Sequence, residues 1–135
     1  MSDRGMKKII DFFEKRAWLC WILTIIYMII IFYISSLSYI PEPAVGKEVS
    51  DLFKHFLLYV GLGILFFISL KSSKIGKYAW LIAVLISILY GISDEIHQAF
   101  VPGRVCALED VIANSLGSLF GSSIMSFLRK GFKGK

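Results

Sequence analysis

The sequence predicts an all-α, polytopic membrane protein with four transmembrane helices and both termini in the cytoplasm. Three observations carry that prediction. The 135-residue chain is 56% hydrophobic with a mean hydropathy of +0.70. A soluble unit of this size could not hide that much apolar surface, whereas a bilayer removes the need to. The apolar residues also gather into four runs, and the basic residues gather beside alternate ends of them.

Residues 1–16 carry Arg4, Lys7, Lys8, Lys15 and Arg16, with Ile9, Ile10, Phe12 and Phe13 between them. This reads either as a short amphipathic stretch at the inner headgroup level or as a frayed tail. The first apolar run is Ala17 to Ser35, with Trp18, Trp21 and Tyr33 near its ends, where interfacial aromatics belong. Ser36–Leu37–Ser38 would pass as a signal-peptide cleavage site. The run is long for such a leader, and its loss would leave an odd number of spans, so it is read as a span. The second run is Phe56 to Leu70, the third Tyr78 to Ile92 and the fourth Val111 to Leu128.

The middle two runs are short for a bilayer that needs about 20 helical residues. Polar residues continue each of them in helical register: Asp51, Lys54 and His55 before the second, and Asp94, Glu95, His97 and Gln98 after the third. The chain is thus divided into a basic segment at 1–16, a four-helix membrane unit at 17–128 and a basic tail at 129–135.

Twelve of the fifteen Lys and Arg residues fall in the N-terminal segment, the loop holding Lys71, Lys74 and Lys77, and the C-terminal tail. Only Lys47, Lys54 and Arg104 fall on the other side. The bias of basic residues toward the cytoplasm puts both termini inside. It also puts Cys20 and Cys106 near opposite faces, so no disulfide is expected.

The acids sort the other way. Glu42, Glu48, Asp51, Asp94, Glu95, Glu109 and Asp110 all fall at the outer level, as do both histidines. Ionisable groups near a membrane core are costly and usually pair or perform chemistry. Helical spacing puts Asp51, His55 and Tyr59 on one face, Asp94, His97 and Gln98 on another, and Asp110 with Asn114 on a third. Glu95 is expected to point elsewhere, toward headgroups or a neighbouring helix. Pro102–Gly103 marks a turn, after which Arg104 can fold back toward Asp94 or Asp110. Its guanidinium suits a phosphate or a structural ion-pair network, and both roles stay open.

Histidines among carboxylates raise the question of Zn²⁺ or Mn²⁺, but the H-x-x-x-H spacing of a metal-binding helix is missing, so no metal or cofactor is expected. The serines within the apolar runs are expected to bond helix backbone. Gly117-x-x-x-Gly121 is a close-packing motif, expected within the chain and, as the lesser option, between two copies.

Asp51-x-x-Lys54-His55-x-x-x-Tyr59 with Gly61 resembles the first motif of the VanZ-like family of small membrane proteins. Ser93-Asp94-Glu95-Ile96-His97-Gln98, then Pro102-Gly103-Arg104, then Asp110-x-x-x-Asn114 with Gly117, resembles the second. Cys106 stands where a small polar residue is expected. The family takes its name from a protein linked to resistance against teicoplanin, a glycopeptide that acts on wall precursors outside the membrane. The resemblance therefore implies a multi-pass protein of the cell membrane with an envelope role.

Two readings of function follow. In the first, the outer cluster binds a membrane lipid or a lipid-linked wall precursor. Arg104, Lys54 and His55 meet phosphate, and Asp94 and Asp110 hold Arg104. The binding set is then Asp51, Lys54, His55, Tyr59, Asp94, Glu95, Gln98, Arg104, Asp110 and Asn114. In the second, the cluster is an enzyme of the membrane interface, with His97 or His55 as general base, oriented by Asp94 or Asp51. A transport path is disfavoured because the inner halves of the runs look nearly free of polar groups. No nucleic-acid partner is expected.

Overall fold

The computed structural model describes residues 3–37 and 47–133. Glu42 lies outside them, as do the side chains of Lys47 and Glu48. Among the described residues there are five helices in order: α1 (Asp3–Glu14), α2 (Ala17–Ser36), α3 (Lys47–Ser72), α4 (Ala79–Gln98) and α5 (Leu108–Lys133). The last four are long and apolar enough to cross a membrane. The polar flanks do continue the helices: the middle spans run Asp51–Ser72 and Ala79–Gln98, 22 and 20 residues.

The four spans alternate in direction. At one end Cys20 near the start of α2 meets Ser72 at the end of α3, 3.4 Å between Sγ and Oγ. At the other, Gln98 at the end of α4 donates to Ser35 near the end of α2 at 3.0 Å. The first end carries Lys71, Lys77, Arg129 and Lys130, and α1 docks there, since Ser72 Oγ donates to Phe13 O at 3.1 Å. The N-terminal stretch is therefore helical. Cys20 and Cys106 are both free thiols.

α3 is the central helix, packed against each of the other spans. Its union with α5 is made by backbone approach. A methyl group at Gly117 would strike Phe56 O, one at Gly121 would strike Val60 O, and one at Gly63 would strike Ser118 O. Ser122 Oγ bonds Gly63 O at 3.0 Å across the same contact. The Gly117/Gly121 face is thus consumed inside the chain, as small-residue motifs allow when helices approach closely.

α2 adheres through a narrow stripe of Cys20, Thr24, Ile31 and Ser35, while Trp18, Ile25, Ile29 and Tyr33 face outward. Such exposed apolar side chains are the lipid-facing belt of a membrane protein. The turn from α3 to α4 closes with Ile75 N to Leu70 O and Lys74 N to Lys71 O, a Schellman pair in which Lys74 takes the left-handed conformation at φ 62°.

One sequence expectation is corrected. The halves toward the basic end are not nearly free of polar groups: Thr24, Ser69, Ser72 and Ser122 are buried there, and Ser118 is buried near the middle of α5. Thr24 and Ser69 bond each other at 2.9 Å. Thr24, Ser72 and Ser118 also bond the carbonyl four residues back. These bonds to helix backbone are the ones expected of serines in apolar runs, since buried hydroxyls need partners.

Candidate functional site

At the end opposite the basic loop, a cavity of about 440 Å³ lies between α2, α3, α4 and the α4–α5 loop. Asp51, Lys54, His55 and Tyr59 line it from α3, Asp94 and Gln98 from α4, Asp110 from α5, and Arg104 from the loop. Ile31, Ile34 and Leu58 supply an apolar wall. Nearly all the binding residues expected from the sequence thus converge. The α2 contribution of Ile31, Ile34 and Ser35 was not foreseen, because its only polar signal is a serine ending an apolar run.

The floor is a hydrogen-bonded network of buried acids, amides and one imidazole. Glu95 is 1% exposed and Asn114 fully buried. Asn114 Nδ2 donates to Glu95 Oε1 at 3.5 Å, and Asn114 Oδ1 lies 3.1 Å from His55 Nδ1. His55 Nδ1 is 3.6 Å from Glu95 Oε1, and its Nε2 is 3.8 Å from Asp110 Oδ2. Gln98 Nε2 reaches Asp94 Oδ2 at 3.3 Å and Glu95 Oε1 at 3.4 Å, tying the two neighbouring acids together. Ala107 N donates to Glu95 Oε2 at 3.5 Å. Gly91 lets α4 come close, since a Cβ there would lie 3.1 Å from the Tyr59 ring and 3.2 Å from Asn114 Cβ.

Of the two settings expected for Glu95, the neighbouring helix is the one found: it is the centre of the network, against His55 of α3 and Asn114 of α5. Two other expectations change. His97 leaves the Asp94 face: its ring stacks on Phe32 at 4.4 Å between centroids, and its Nε2 lies 2.9 Å from Ser36 Oγ. It therefore has no base–orienter contact with Asp94. Arg104 forms no ion pair with Asp94 or Asp110 among the described residues. Its Nε donates to Leu37 O and its Nη2 to Ile34 O, each at 3.2 Å. Helix C-terminal carbonyls lack intrahelical partners and carry the negative end of the helix dipole, so they attract the guanidinium.

Asp51 likewise pairs with Lys54 at 2.9 Å at the rim and not with His55. That leaves Glu95 and Asp110 as the acids flanking His55. Their donor atoms and one from His55 lie within 4.8 Å of one another, the one group among the described residues placed to hold a metal ion. Tyr59 Oη and Asp94 Oδ1 are buried without a hydrogen-bond partner among the described residues.

Four apolar spans with a polar pocket at one end define a small multi-pass membrane protein with a recessed polar cavity. The VanZ/LLP1 family model matches residues 18–129, and the chain belongs to that family. No curated protein and no solved structure matches the chain.

Proposed function

We propose that this protein binds the phosphate-bearing headgroup of a membrane lipid, such as a lipid-linked wall precursor, at the outer face of the cell membrane. The observation that carries this reading is the make-up of one cavity. Lys54 and Arg104 stand at its walls, a polar network forms its floor, and Ile31, Ile34 and Leu58 give it an apolar side that suits the first segment of a lipid chain. The Lys and Arg asymmetry puts this end outside. A protein that engages such a precursor would alter susceptibility to a glycopeptide acting on the same molecules, the role for which the family is named.

The test is expression of wild type and a Lys54→Ala/Asp94→Ala variant at matched membrane levels in a susceptible Gram-positive host. Teicoplanin susceptibility is measured with vancomycin beside it. Wild type is expected to lower teicoplanin susceptibility and the variant to have no effect. Equal effects from both would remove the cavity from the account, and no effect from either would remove the resistance role.

A second reading, an interfacial enzyme, draws on the setting of His55. An imidazole held between Glu95 and Asp110 is a reasonable general base, so of the two candidates His55 is favoured over His97. Headgroup turnover that is lost in His55→Ala and kept in His97→Ala favours it.

A further inference from the structure

We infer that His55, Glu95 and Asp110 form a binding site for a divalent cation of the Zn²⁺ or Mn²⁺ class. The argument begins with Asn114. A carboxylate only accepts hydrogen bonds, so the Asn114 atom facing Glu95 is the amide nitrogen, 3.5 Å from Oε1. The atom facing His55 is then the amide oxygen, 3.1 Å from Nδ1, and that ring nitrogen must carry the donated proton. In the metal-ligating form of the ring, with Nδ1 protonated, the lone pair of Nε2 is directed at Asp110 Oδ2, 3.8 Å away. The 3.8 Å separation is too long for a direct hydrogen bond. Ligand atoms held about 2.0–2.2 Å from an ion lie roughly 3–4 Å apart, so the gap suits a metal. A ligating histidine whose second nitrogen donates to a carbonyl oxygen is the usual support for such a site.

Two further observations support a cation at this site. Asp94 is 5% exposed and Tyr59 1% exposed, both line this cavity, and Asp94 Oδ1 and Tyr59 Oη lack partners among the described residues. Buried polar atoms are rarely left so. The charges also fail to balance. Asp51 is matched by Lys54, and Arg104 is bonded to the end of α2. Asp94, Glu95 and Asp110 then share His55 and the more distant charge of Arg104, so negative charge exceeds positive around the cavity. Uncompensated carboxylates are expensive in this setting, and a divalent ion bound by nitrogen and oxygen relieves them. The H-x-x-x-H spacing is absent because the three donors come from three helices.

The inference deepens the headgroup reading, for an ion here would turn an acid-rich cavity into one that accepts phosphate. It is tested separately from that reading. Purified wild type is titrated with Mn²⁺, Zn²⁺ and Co²⁺ after chelator treatment, followed by calorimetry and by the visible absorption of bound Co²⁺. Saturable binding of one ion per chain is expected, with affinity at least about tenfold weaker in Glu95→Gln and Asp110→Asn and unchanged in His97→Ala. Metal should also raise the wild-type Tm, a shift missing from the two variants. If either variant fails to fold, His55→Gln replaces it. No saturable binding by wild type, or equal affinity in the carboxylate variants, overturns the site. Binding of polyprenyl phosphate vesicles is then measured with Mn²⁺ and with chelator. Metal binding without lipid binding would sink the headgroup reading alone. Lipid binding by a chain that takes up no metal would sink the ion site alone.

Discussion

Arg104 illustrates how one side chain can join two parts of the site. Its fork bonds Ile34 O and Leu37 O, so the loop after α4 is fastened to the end of α2, and the cavity between them keeps its width. Arg104→Ala should cost about 1–3 kcal/mol, the worth of hydrogen bonds to a charged group, read as a lower Tm in detergent. Arg104→Lys should recover little of it, because an ammonium on a flexible stem cannot reproduce the two-pronged geometry. Full recovery by lysine would show that charge alone matters there. Motif spacing made Arg104 visible as a site residue. It did not reveal the partner, since backbone carbonyls look alike in every sequence.

At the level of elements, the α3–α5 contact governs the site, because it brings His55 against Asn114 and Asp110. That contact depends on absent side chains. Gly121→Val would drive a branched group into Val60 O, and the helices would have to separate. We expect a loss of about 3 kcal/mol or failure to accumulate, beyond the usual overpacking cost because backbone cannot rotate away. Gly131→Ala, on the same helix with nothing within 4 Å of the added carbon, should stay within about 1 kcal/mol of wild type. Expression level and thermal unfolding of the two variants side by side check the contrast. The motif from Gly117 to Gly121 was legible as a packing face. Its partner helix was not, because the motif specifies closeness and says nothing about which backbone comes close.

Across the whole molecule, the charge asymmetry predicts an orientation that a natural probe can read. Cys106 is exposed in the loop beside the cavity, and Cys20 is buried near the basic end. A membrane-impermeant maleimide should therefore modify Cys106 in intact cells and leave Cys20 unmodified. Cys106 labelling only after permeabilisation would invert the topology and move the cavity to the cytoplasmic side. A Cys106→Ser variant confirms the assignment of the label.

The four spans were determined by the sequence alone, because burying a backbone in lipid demands long apolar helices and little else satisfies that demand. The level of the polar cluster was also determined there, since motifs on adjoining helix ends must meet at one depth. Only the tertiary structure decided which members face one another. It seated Glu95 at the centre, turned His97 onto Phe32, and set His55 opposite Asp110. Helical periodicity places each residue on its own helix to within one face. The rotation of one helix against the next comes from where glycines allow backbones to touch, and that is a property of the packed bundle.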